Sequence, residues 1–395
     1  MLNEYYSSLS KLKKYSHDNN YSGYDPYDAL NSKFLKNVNN KLLKLLATQI
    51  FVYSPFNFRN FFNIKKEKNP KAIGLFLSSY CKQYKYRFIN KDDFNYISSE
   101  FVKYLEKYKS EGYSGYCWGF NFDWQDITRF SKKWLPTIVI TSYIGQSFLD
   151  LYDISKEKKF LQISNSICSF IIKDLNITQT ERGICFSYTP IDNKIVHNAN
   201  CLGAAFLSRV YNITKEKKLL DYSKKAFDFT LSFQKNDGSW AYDHDYTTNK
   251  DRNQIDFHQG FILDSILHFI KYSKINDEKY IQSLLKGYEF YITHQFENFE
   301  HSKWRLPLRY PIDIHHQAQG IITSSNMYEY FKEKKYIDIA KNIANWTIKY
   351  MQDKNGFFYY QKWPFFINKI SYIRWNQAWM MLALSSLLFY KKEEC

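Results

Sequence analysis

The sequence predicts an all-α protein wound as a double-layered ring of about six helical hairpins. Three observations carry this. Small residues at Gly145, Gly203, Gly260, Ala318 and Ala378 follow one another at intervals of 58, 57, 58 and 60 residues, each within an apolar run that opens polar or aromatic and ends in a charged turn. The turn string KEKK recurs at 156, 215 and 332, spaced by one period and then by two. Between the apolar runs lie amphipathic ones such as KEKKLLDYSKKAFDFTLSFQ, with lysines on one face and Phe, Ile, Leu or Tyr at i, i+3 and i+4 on the other.

In chain order, residues 1–25 precede the repeat and are open to being an N-terminal extension. YDALNSKFLKNVNNKLLKLLATQIF, from 27, reads as the first outer helix, and NPKAIGLFLSSYCKQY, with Gly74, as the first inner one, 71 residues before Gly145. Later inner helices open at PTIVITSYIG, KIVHNANCLG, IDFHQG, IDIHHQAQ and YIRWNQAW. The runs at Gly203, Ala318 and Ala378 carry few charges in their middles, which suits a layer buried all round. After each outer helix comes an aromatic stretch bounded by Gly or Pro (GYCWGF, GICFSYTP, DGSWAYDH, SKWRLPLRYP, GFFYYQKWPF), the pattern of short strands or turns. Closure of the ring makes residues 1–395 one domain, where length alone suggests two or three. If the inner helices all start on one face, their polar openings converge on a shared pocket walled by the aromatic loops.

Composition narrows the function. A net charge of +16 invites a nucleic-acid partner, but lysines such as Lys156, Lys158 and Lys159 fall in turn clusters and not along one helix face, so no nucleic acid is expected. An anionic sugar, a carrier-linked substrate or peripheral contact with an acidic membrane stays open. Six cysteines show no C-x-x-C and no repeated spacing, against a zinc site or a disulfide framework. With no long uncharged apolar run and no signal-like N-terminus, the chain reads as cytoplasmic. No G-x-S-x-G, Walker A or G-x-G-x-x-G follows a strand, and neither a cofactor nor a metal is expected.

The candidate catalytic residues come from three segments. WGFNFDWQDITRF interleaves Asp123 and Asp126 with Trp118 and Trp124 and adds Arg129; sugars stack on aromatic rings while carboxylates hold hydroxyls or transfer protons. The alternative is that the tryptophans are core and Asp126 a cap. Asp256 and His258 stand two apart, as do Asp313 and His315, and a repeated Asp-x-His could seat two acid/base stations. His197, Asn198, Asn200, His316 and Gln317 share the helix openings, while Tyr188, Trp240 and Tyr242 share the aromatic loops; all are expected to bind substrate. Arg374, Trp375 and Gln377 open the sixth inner helix, where a guanidinium suits a carboxylate and so a uronic acid, or else forms a structural ion pair with a loop acid.

With these segments in view the chain resembles the six-hairpin glycosidase-like, (α/α)6-barrel superfamily, which includes glycoside hydrolases, polysaccharide lyase domains and N-acylglucosamine 2-epimerases. More narrowly, YSGYDPYDALNS, CWGFNFDWQD, YTPIDNKIVHNAN and NKISYIRWNQAW resemble poorly characterised members associated with polysaccharide and glycan assembly. The resemblance implies sugar chemistry without fixing the reaction. QKNDGSW, residues 234–240, fits the Q-x3-G-x-W pattern of terpene cyclases, also α/α toroids, but the D-x-D-D acid motif is missing. The expected function is therefore a carbohydrate-active enzyme, with a glycoside hydrolase on an anionic glycan ahead of a histidine-based epimerase or lyase, a non-catalytic glycan-binding component and a terpenoid toroid. Oligomeric state is left open.

Overall fold

The apolar runs fold as helices buried nearly all round, and the lysine-faced runs pack outside them. The computed structural model describes residues 2–125 and 130–388. In chain order its helices are α1 (Leu2–Asp18), the single turn α2 (Lys33–Lys36), α3 (Lys41–Tyr53), α4 (Pro70–Lys85), α5 (Lys91–Lys107), α6 (Ile138–Ser155), α7 (Lys158–Lys173), α8 (His197–Thr214), α9 (Lys217–Leu231), α10 (His258–Ser273), α11 (Glu278–Gln295), α12 (Ile314–Phe331), α13 (Lys334–Met351) and α14 (Trp379–Ser386). A π-helical stretch, Ile373–Ala378, leads into α14. The inner ring is α4, α6, α8, α10, α12 and α14, each packed on the next, and α14 closes back on α4.

The small-residue landmarks mark where inner helices touch. A Cβ on Gly74 would lie 2.9 Å from Ile144 of α6, one on Gly145 2.5 Å from Phe206 of α8, and one on Gly260 2.5 Å from Gln319 of α12. The charged turns that follow also share one conformation: Lys156, Lys215, Lys274 and Lys332, just past α6, α8, α10 and α12, all sit in the left-handed region at φ near +60° (58°, 61°, 60° and 61°). That is the position most helices give to glycine.

Two assignments change. The first outer place belongs to α1, inside residues 1–25, and not to the stretch from 27. Tyr5, Leu9 and Leu12 of α1 are buried at i, i+4 and i+7. Tyr5 donates to Asn345 of α13 at 2.6 Å, and Tyr21, just beyond α1, shares a hydrogen bond with Tyr80 of α4. KLLKLLATQIFVY cannot serve as an outer helix because it lacks a polar face: Phe51 and Val52 are buried while Leu42, Leu43 and Leu46 are exposed. It forms α3, part of an excursion from 19 to 69 that crosses the ring's open end.

The Q-x3-G-x-W segment is a tie between outer helices. Gln234 donates to the carbonyls of Gly238 and of Ser283 in α11, and Gln352 in the looser copy donates to Gly356 and to Ser8 of α1. The aromatic loops form short antiparallel ladders that stitch neighbouring repeats: Ile195–Val196 pairs with Asp243–Asp245, and Ile312–Asp313 with Gln361–Lys362. Cys81, Cys117, Cys168, Cys185 and Cys201 are buried free thiols. Among the described residues no helix is long and apolar enough to cross a membrane.

Candidate active site

The inner helices all begin at the loop-bearing end, so their first turns converge on one mouth. Asp313 is the N-cap of α12, accepting from the His315 N–H at 2.9 Å, and its carboxylate also accepts from Trp375 Nε1 and Gln361 Nε2, both at 2.9 Å. Burial pushes it up to about 6 against these bonds. The polar opening of this helix is thus a cap and a brace between two loops.

Asp256 is different because it grips a side chain that can titrate. Its Oδ1 lies 2.5 Å from His258 Nδ1, its Oδ2 accepts from Gln254 at 2.7 Å, and Arg305 Nε stands at 3.5 Å. Burial pushes Asp256 up, but His258 and Arg305 outweigh it and hold the carboxyl down at about 2. His258 itself is 17 % exposed, with Phe257 stacked on it and Tyr242 edge-on. With Nδ1 fixed by Asp256, Nε2 is the nitrogen left to exchange a proton.

His315 lies one layer deeper, between Phe257, Trp375 and Trp379, with neither ring nitrogen bonded. Burial first, then Lys71 and Arg374, hold it well below the usual histidine range, so it is neutral. His316 packs on Tyr291 and Phe296 and is lowered by burial to about 4.

Several expected binding residues are instead structural. Thr141, Asn200, Gln259, Gln317 and Gln377 occupy one register of the repeat, and each clamps the peptide groups of the preceding aromatic loop. Asn200 holds Phe186 N–H and Ile184 C=O, Gln317 holds Ser302 N–H and Glu300 C=O, and Gln377 holds both peptide groups of Phe358. A side-chain amide offers one donor and one acceptor side by side, which matches an exposed edge of backbone. Trp118 and Trp240 are fully buried, their indole N–H groups spent on Leu105 and Thr230 carbonyls, so neither presents a face to a sugar. His197 is buried against Phe229 and Phe233 of the outer layer, and burial lowers it to about 4. Asn198 is buried with its Oδ1 unbonded.

Arg374 is not free to hold a substrate carboxylate. Asp25 takes it in two places, at 2.6 and 2.7 Å, and both are buried. The structural ion pair is therefore the arrangement found. Asp28 holds buried Arg59 at 2.7 Å in the same way, so the strap carrying both acids is bolted across the mouth. Tyr27 on this strap meets Trp375 and Trp124 edge-on, each at 5.7 Å. Asp123 sits at the rim, accepting from the Lys133 N–H with Lys36 at 3.7 Å, and Tyr188 is half-buried at the start of the 188–196 loop. Asp126 and Arg129 lie outside the described residues.

Lys71, Asp25 and Arg305 were not anticipated. Lys71, in the first turn of α4, is buried with its ammonium position over the rings of Tyr143, Trp379 and Phe261. Burial and then Arg374 push it well below the usual lysine range. It stands three residues before Gly74, as His315 and Trp375 do before Ala318 and Ala378.

The opposite, turn-bearing end holds a concavity of about 640 Å³ with Tyr143 and Trp379 in its wall. Arg209 pairs there with Asp150 and Asp153, each at 2.8 Å. Burial pushes Asp264 up to about 7 against bonds from Asn326 and Gln319, while Lys82 and Lys271 overcome burial to hold Glu329 at about 2.

No family model matches the chain, nor does the sequence of any curated protein. Solved structures do. A cellobiose 2-epimerase from Bacillus thermoamylovorans superposes with a TM-score of 0.66 at 13% identity, over 84% of this chain and 90% of that one. A family 76 α-mannanase from Bacteroides thetaiotaomicron gives 0.67 at 13%, over the same 84% and 90%. The fold is the (α/α)6 toroid. A Listeria innocua protein matches over 98% of both chains, with a TM-score of 0.65 at 11% identity. That match extends over α1 and the excursion as well as the repeats.

Proposed function

We propose that this toroid is a carbohydrate-active enzyme that moves a carbon-bound proton on a neutral reducing sugar, in the manner of a 2-epimerase or an aldose–ketose isomerase. The observation that carries it is the Asp256–His258 pair, a partly exposed imidazole whose second nitrogen is fixed by a buried carboxylate. In the open-chain sugar the hydrogen beside the carbonyl is acidic. His258 Nε2 takes that proton and the C–H electron pair passes into an enediolate. The resulting imidazolium keeps its Nδ1–H on Asp256. Return of the proton to the other face of the same carbon, once the enediolate has turned that face to the imidazolium, gives the epimer; return to the former carbonyl carbon, with the O2–H proton passing to O1, gives the ketose. The superposed epimerase and mannanase support a sugar as substrate; Arg374, already held by Asp25, supplies no grip for a uronic acid.

A hydrolase reading has support of its own at the turn end. Asp264 and Glu329 in one cavity are pushed in opposite directions from the ordinary carboxylate range, as one acid and one ionised carboxylate require. The two separate in one assay. Cellobiose, mannose and glucose are incubated with the full chain and the products identified by NMR. An epimer or ketose that falls by at least about 100-fold in His258→Gln supports the first reading. Hydrolysis of cellobiose that survives in His258→Gln and is lost in Asp264→Asn overturns it.

A further inference from the structure

Of the 19 large apolar side chains exposed among the described residues, nine fall between 34 and 61. Phe34, Leu42, Leu46, Phe56 and Phe61 are each more than half exposed, Phe61 at 83 %. A soluble surface scatters such residues singly, so this density marks something that is covered in use. The same arm is all cationic. Residues 29–66 contain no Asp or Glu but include Lys33, Lys36, Lys41, Lys44, Lys65 and Lys66. Around α3 the exposed leucines form one stripe while Thr48, Phe51 and Val52 anchor the opposite face to the ring. The neighbouring hairpin adds Phe365, wholly exposed, and is tied to the arm by Asn368 donating to the Ser54 carbonyl at 3.0 Å.

We infer that the arm spanning 33–66 docks the ring onto an anionic lipid bilayer, its apolar side chains entering the headgroup boundary and its lysines meeting lipid phosphates. Apolar burial and charge attraction act together in such interfacial contacts, and each lysine near an acidic surface adds to the binding. A second copy of this chain would bring the same unrelieved positive charge against itself, and a neutral bilayer would leave the lysines without partners. The arm rises beside the mouth, since Lys36 reaches Asp123 and Tyr372, bonded to Arg59, leads into the strap-bearing helix start. Docking would thus bring the mouth to the lipid surface; the docking itself does not depend on the reaction proposed above.

The test is vesicle flotation of the full chain with phosphatidylcholine alone and with phosphatidylcholine–phosphatidylglycerol mixtures. Binding only to the mixed vesicles, weakening as salt rises and at least tenfold lower in both Leu42→Ser/Leu46→Ser/Phe61→Ser and Lys33→Gln/Lys41→Gln/Lys65→Gln, is expected. These side chains are exposed, so both variants should keep the melting temperature of the parent; Phe61→Ser alone serves if the triple variant does not. Failure to bind the mixed vesicles, equal binding to both kinds, or a parent dimer that the apolar variant converts to monomer would each overturn the proposal.

Discussion

The two ends of the ring are built from the same six inner helices and both pair charges within the chain, yet the turn end keeps a cavity open beside its pairs. At the mouth, charged groups are spent on other parts of the chain: Asp25 on Arg374, Asp28 on Arg59, Asp313 on two loops. At the turn end a cavity is left open, with Asp264 and Glu329 facing it among lysines. Long connections supply side chains and backbone to fill the mouth, whereas KEKK turns are too short to cover the other end. His258 is among the mouth groups that the braces leave partly exposed.

Acid should break both ends together, and with the largest effect. Burial holds His197 and His316 at about 4 and His268, in the cavity wall, at about 3, while an unfolded histidine titrates at 6.5. A group lowered in the folded state leaves stability whole above 6.5 and removes it as pH falls from 6.5 through the folded value. At about 1.4 kcal/mol per unit, each of the two histidines at the mouth end withdraws roughly 3 kcal/mol by pH 4. Asp264 and Asp313, raised to about 7 and about 6, gain stability as they protonate and offset part of this loss, so urea titrations at pH 7, 6 and 5 should show midpoints falling less steeply than the histidines alone would give; midpoints that rise would mean these rings are hydrated.

Asp25→Ala isolates the mouth. It strands a buried guanidinium and should cost about 3–5 kcal/mol, much of it recovered in Asp25→Ala/Arg374→Met. Denaturant midpoints of the two variants check this, and a loss below about 1 kcal/mol would show that the strap is not bolted as described.

Gln259→Leu tests the clamp register. It leaves both peptide groups of Trp240 unbonded and should cost about 1–3 kcal/mol without altering the turn-end cavity. Thermal melts of this variant beside Gln317→Leu should fall by similar amounts, since both sit in the same repeat position.

The smallest effect is expected at the turns. Lys215→Gly relieves a left-handed lysine and should stabilise by up to about 1 kcal/mol, visible as a raised melting temperature. A fall instead would mean that the Lys215 side chain contributes more than its backbone conformation costs.

The same contrast explains what could be read in the sequence. The ring, its period and its aromatic loops were legible because small residues and KEKK turns recur in register, and each has a local steric cause. The clamps were visible as polar helix openings but were misread as substrate contacts, because an amide that bonds a sugar and one that bonds a peptide look alike in a string. Asp25–Arg374 joins residues 349 positions apart, and no local pattern announces such a pair. The outer place of α1 was hidden by the excursion that separates it from α4. The turn-end cavity gathers Asp150, Asp264 and Glu329 from three helices, past the polar openings, where no motif marks them.

The most direct test of the mouth as an acid/base centre is deuterium uptake from heavy water into the sugar carbon beside the carbonyl, followed by proton NMR on cellobiose and mannose. Uptake by the parent chain that Asp256→Asn slows and His258→Gln abolishes is the predicted result. Product formed with no solvent deuterium at that carbon, or uptake unchanged in His258→Gln, would contradict it.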